Sequence, residues 1–93
     1  MNELNDEVIK IFIEGWLVKY HFFSLCNDKV EKRRNGVRVI FGLYNSRLEL
    51  KDVAQDRVII SIEIPKDINS KDCMSFAMKS YLQVAQVVER EKL

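Results

Sequence analysis

Hydrophobic and polar positions alternate most regularly between Gly36 and Pro65. Val37, Val39, Phe41 and Leu43 interleave with Arg38, Ile40, Gly42 and Tyr44, the period of two of a half-buried strand. Asn45-Ser46 interrupts the run, and Asn tolerates the positive φ that a two-residue hairpin loop needs. That turn sets Tyr44 opposite Arg47, Leu43 opposite Leu48, Gly42 opposite Glu49, Phe41 opposite Leu50 and Ile40 opposite Lys51. Apolar partners then share one face, and a one-residue slip would scramble the match. Val53 to Asp56 makes the next turn. Arg57 to Ile64 predicts a third strand with Val58, Ile60, Ile62 and Ile64 inward, and Pro65 ends it because it cannot donate a ladder hydrogen bond. The outer face is read as Arg38, Ile40, Tyr44, Arg47, Glu49, Lys51, Arg57, Ile59, Ser61 and Glu63. One dry and one wet face is the usual antiparallel arrangement, so the dry face needs a cover.

Two flanking segments can supply it. Between residues 6 and 25, Glu3, Asp6, Glu7, Lys10, Glu14, His21 and Ser24 fall on one stripe of a helix. Ile9, Phe12, Ile13, Trp16, Leu17 and Tyr20 then make a broad apolar face, and Asn5 or Asp6 suits the N-cap. The same segment also reads as a β-hairpin turning at Gly15, because it is rich in β-branched and aromatic residues. The long polar stripe favours the helix, which is the reading adopted. After Pro65, Asn69 or Ser70 can cap a second helix from Lys71 to about Glu91. Its apolar face is read as Met74, Ala77, Met78, Tyr81, Val84, Ala85 and Val88. Cys26 to Asn35 reads as a polar connector, and Asn35-Gly36 as the turn that opens the first strand.

These elements predict one α+β domain over residues 1–93. It has two layers, a three-stranded antiparallel β-meander covered on one face by an N-terminal and a C-terminal helix, in the order α-β-β-β-α. That order is also the one of double-stranded RNA-binding domains. Those domains place a lysine cluster at the start of the second helix, where this chain has Ser70-Lys71-Asp72-Cys73-Met74-Ser75, so the resemblance is one of topology alone.

Charge narrows the function classes. The formal net charge of the 93 residues is +1, which argues against an acidic nucleic-acid mimic and against a uniformly basic coat. Lys10, Glu14, Lys19 and His21 break the apolar run from Val8 to Cys26, so no membrane span is expected. The acidic start, MNELNDEVIK, has no signal-peptide pattern, and the two cysteines, Cys26 and Cys73, are expected as reduced thiols in the cytoplasm. Abundant Ile, Lys and Asn with scarce Gly and Pro suggest an AT-rich bacterial or viral genome.

Candidate chemistry is sparse. His21 lacks a neighbouring ligand set and reads as a surface or capping residue. The serines lack the glycine-rich context of a strained nucleophile. No catalytic residue, metal ligand, cofactor or small-molecule substrate is expected. The apolar surface around Phe12, Trp16, Tyr20 and Phe22 exceeds what one sheet face needs. It therefore marks either a helix buried on several sides or a protein interface. The leading expectation is a small, non-enzymatic protein-binding module of the regulator, inhibitor or immunity type, associating with itself as a homo-oligomer. The rival is nucleic-acid binding. Residues 29–38 carry five bases against Glu31. Lys29, Lys32, Arg33 and Arg34, supported by Arg38 and Arg47, could meet phosphates while Tyr44 stacks on a base.

Overall fold

The computed structural model describes residues 3–93, the side chain of Glu3 excepted. Helix α1 spans Glu3–Lys19. Five strands follow: β1 Ser24–Cys26, β2 Lys29–Arg34, β3 Val37–Tyr44, β4 Arg47–Asp52 and β5 Arg57–Glu63. A single 3₁₀ turn, Ser70–Asp72, leads into helix α2, Cys73–Arg90. The strands form one antiparallel sheet in chain order. The class is α+β, as expected, but the meander has five strands rather than three. The connector read at Cys26–Asn35 is in fact the β1–β2 hairpin and its exit turn, so the basic run lies on a strand and not in a loop.

Turn chemistry explains the meander. Asn27-Asp28, Asn35-Gly36 and Asn45-Ser46 each place two consecutive residues at positive φ, between about 50° and 79°. That is the type I′ signature, whose twist matches the strands it joins. The expected pairings of Tyr44 with Arg47 through Ile40 with Lys51 are all present. Beyond Leu50 the pairing of β4 with β5 shifts by one residue, so Val58 rather than Ile59 faces Lys51. A bulge of this kind turns the following side chains over. Val58, expected inward, is therefore exposed. Arg57, expected outward, pairs with Asp52 and reaches Glu91 at the end of α2 at 3.8 Å. Asp52 is buried, and its Oδ1 accepts hydrogen bonds from the amides of Ala54 and Gln55, closing the β4–β5 turn.

The helix reading of residues 6–25 holds for Glu3–Lys19. The helix ends where His21 adopts φ 64°, with Phe22 N–H donating to Leu17 O at 2.9 Å and His21 N–H to Val18 O at 3.1 Å. This is a Schellman stop with histidine in the place glycine usually fills. Asp6, expected on the solvent stripe, is buried and accepts a hydrogen bond from Ser46 Oγ at 2.8 Å. Asn5 Nδ2 donates to the carbonyl of Ile68 at 3.1 Å. The first turn of α1 is thus tied both to the β3–β4 turn and to the loop before α2.

The core lies between the sheet and the helices. Ile9, Ile13 and Leu17 of α1 meet Val39, Phe41, Leu48 and Leu50 of the sheet and Ala77, Val84 and Val88 of α2. Helix α1 packs on β1, β2 and β3, while α2 packs mainly on α1 and touches β5. The buried face of α2 is rotated from the expected one. It includes Cys73, Ser80 and Val87, whereas Met74 and Met78 are exposed. No helix among the described residues is long and apolar enough to cross a membrane.

Candidate protein-docking surface

The structure brings the four aromatic residues Phe12, Trp16, Tyr20 and Phe22 together around a fifth, Tyr81 of α2. Phe12 stacks on Trp16 with centroids 5.8 Å apart, and Trp16 meets Tyr81 edge-on at 5.6 Å. Tyr20 and Phe22 each approach the Tyr81 ring at 6.2 Å. Edge-to-face and offset pairs at these separations are favourable beyond the area they bury. Phe12, Trp16 and Phe22 are half-buried against the core, and Tyr20 is exposed. Burial pushes the Tyr81 phenol above its ordinary pKa. The cluster is therefore first a joint between the two helices, and only its outer rim is open to a partner.

Beyond that rim lies a surface that the sequence reading missed. Leu4, Ile11 and Val18 stand exposed on α1 at intervals of seven residues, Leu4 at 78% and Ile11 at 61%. Seven residues are close to two helical turns, so the three make one ridge. Gly15 lies on the same ridge, and a side chain built there would meet nothing within 4 Å. On α2, Met74, Met78 and Leu82 follow one another at intervals of four and are also exposed. They flank Tyr81 on the side from which Trp16 and Tyr20 approach it, by helical geometry. Each helix thus carries a row of exposed apolar side chains, and on α2 the row stands beside the exposed Ser75, Lys79 and Gln86. Glu7 and Glu14 border the ridge on α1, and Lys79 lies at the far edge of α2.

The outer face of the sheet differs in character. Glu31 on β2 is buried, and its carboxylate accepts Arg38 Nη2 and Arg33 Nε at 2.8 Å each. The Arg38 and then the Arg33 hydrogen bond hold the Glu31 carboxyl below the usual carboxylate range, although burial opposes them. Arg47 donates to Ser61 Oγ at 2.8 Å and to Glu63 at 3.3 Å. The Tyr44 ring folds over Gly42, where an added Cβ would lie 2.8 Å from its hydroxyl, and Lys51 Nζ sits 5.7 Å from the ring centre.

Strand alternation divides the basic cluster. Lys29 and Arg33 point to the outer face with Glu31. Lys32 and Arg34, paired with Val39 and Val37, point to the helix side. Lys32 Nζ donates there to the main-chain oxygen of Leu93, beside a cavity of about 190 Å³ that also touches Arg34 and Val37. The six cations Lys29, Lys32, Arg33, Arg34, Arg38 and Arg47 therefore share no single face. Among the described residues, no cluster of three or more potential metal ligands is present. Cys26 is exposed and Cys73 buried, both as free thiols, and burial raises the Cys73 pKa.

The arginine clamp on Glu31 has a pH signature. Its lowered pKa stabilises the fold fully above the unfolded-state value near 4.5, and that contribution is lost as pH falls through the folded value. The stability gap between wild type and Glu31→Gln, read from urea midpoints, is therefore expected to narrow as pH drops below 4.5. A gap that stays constant from neutral pH into that acid range would mean that the clamp does not hold Glu31 ionised.

Comparison with protein-family models, with curated proteins and with solved structures finds no match.

Proposed function

We propose that the chain is a small, non-enzymatic protein-binding module of the cytoplasm, of the regulator or inhibitor type, and that it docks through the outer face of its helical layer. The observation that carries this reading is the pair of exposed apolar rows, Leu4–Ile11–Val18 and Met74–Met78–Leu82. Contiguous apolar surface of this kind is seldom left bare and marks interaction sites. Methionines suit such a face because their flexible, polarisable side chains adapt to a partner. Tyr20 supplies an exposed aromatic at one end of the surface, its ring 6.2 Å from that of Tyr81.

Nucleic-acid binding has less support. The basic residues are divided between two faces, and Arg33, Arg38 and Arg47 already bond to carboxylates.

The test is affinity capture from the native host, followed by reconstitution of the captured protein with the purified chain. Met78→Lys is expected to weaken that complex by about 30-fold or more, the loss of a binding hot spot. Lys29→Ala is expected to leave it unchanged. A complex indifferent to Met78→Lys but weakened by Lys29→Ala would move the docking site to the sheet and contradict the proposal.

A further inference from the structure

We propose that the occupant of this face is a second copy of the chain, related by a two-fold axis running along the helices, so that α1 of each copy lies on α2 of the other. This rests on the docking face assigned above and names its partner. Three observations point to it.

The first is size. Two parallel helices of 17 and 18 residues, each about 25 Å long and roughly 10 Å apart, present a broad, shallow surface. Stacked on its own copy, such a surface is of the order of the ~800 Å² per partner of a standard interface.

The second is charge. Asn5 bonds to the chain at Ile68 and Ser70, and Trp16 packs on Tyr81, so the two helices run side by side in the same direction. Glu14 lies two residues before Trp16, and Lys79 two residues before Tyr81, which puts them at the same height on opposite edges of the face. A two-fold axis along the helices keeps heights and exchanges edges. Glu14 of each copy then meets Lys79 of the other. The alternative two-fold, perpendicular to the helices, would pair α1 with α1 in antiparallel fashion. It would give Glu14 no Lys79 to meet, and would set it instead beside Glu7 of the other copy, which is already paired with its own Lys10 at 3.7 Å.

The third is shape. Gly15 leaves a hollow on the ridge between Ile11 and Val18. By the same offset Gly15 stands level with the stretch of the partner's α2 between Met78 and Leu82, and the flexible Met78 side chain is able to reach it. An isologous contact of this kind uses the same patch twice and closes on itself as a dimer.

The experiment is sedimentation equilibrium of the purified chain across the micromolar range, with circular dichroism to verify that each variant is folded. Wild type is expected to be dimeric. Ile11→Lys, at a position exposed in the single chain, is expected to weaken the dimer by about 30-fold or more. Glu14→Lys alone and Lys79→Glu alone are each expected to weaken it roughly fivefold. The double variant carrying both changes is expected to restore it, because the exchanged charges meet again. A wild-type chain that remains monomeric throughout overturns the second copy as occupant. The docking reading then survives only if a different protein binds in a Met78-dependent way. A dimer strengthened by Glu14→Lys overturns the proposed axis in favour of antiparallel α1 pairing. A dimer indifferent to Ile11→Lys overturns both the inference and the face on which it rests.

Discussion

Leu50→Ala is expected to destabilise the fold by about 2–5 kcal/mol, whereas its neighbour Lys51→Ala should change stability by no more than about 0.5 kcal/mol. Leu50 has no exposed surface. It sits at the middle of β4, opposite Phe41 on one side and Ile60 on the other, directly under the helices. Truncating it removes apolar contacts and leaves a space that rigid strands on both sides cannot close. Lys51 points the other way, and its ammonium is 3.7 Å from the exposed Asp56 carboxylate. Such exposed pairs contribute little. Denaturant midpoints of the two variants check this, and equal losses would mean that the register of the sheet is wrong.

Tyr81→Ala carries the second large effect, about 3–5 kcal/mol by analogy with other buried aromatics. Tyr81 is the one ring that Trp16, Tyr20 and Phe22 all touch, so its removal loosens α2 from α1 and from the chain leaving α1. Tyr81→Phe keeps the ring, and among the described residues no side-chain hydrogen bond involves this hydroxyl, so its cost is expected to stay below about 1.5 kcal/mol. Tyr81→Phe should leave the helical face intact, and only Tyr81→Ala should disturb it. Urea unfolding followed by Trp16 fluorescence reads both. A loss with Tyr81→Phe as large as with Tyr81→Ala would place the energy in the hydroxyl rather than in the ring cluster.

How much of this was legible in the sequence follows from what each element needs. The β3–β4 pairing could be read residue by residue, because Asn45-Ser46 fixes the turn and the apolar positions leave one register. Hairpin β1–β2 could not be read from hydrophobicity. Of its residues on the helix side, Val30 is buried, but Leu25 is exposed and Lys32 and Arg34 are cationic. The remaining signal was turn chemistry, since Asn27-Asp28 repeats the asparagine-led type I′ pattern of the other two hairpins. Val58 was misplaced because a bulge leaves no mark in the run of three β-branched residues Val58-Ile59-Ile60. Met74 and Met78 were assigned to the core of α2 because apolar spacing alone does not say which side of a broad face meets a neighbour. The ridge Leu4–Ile11–Val18 was not read at all, because it lies outside the broad apolar face of Ile9, Phe12, Ile13, Trp16, Leu17 and Tyr20 that the helix offers for packing. The aromatic residues around Trp16 were legible as a group, whereas Tyr81, their common partner, lies more than sixty residues away in the chain.

The measurement that bears most directly on the central claim is oxidative footprinting of the whole chain at rising protein concentration. Met74 and Met78 are natural reporters on the helical face, because exposed methionine is readily oxidised. Tyr44 reports on the sheet face. Met74 and Met78 are expected to lose reactivity as copies associate, while Tyr44 keeps its own. Protection of Tyr44 with the two methionines unchanged would contradict the account.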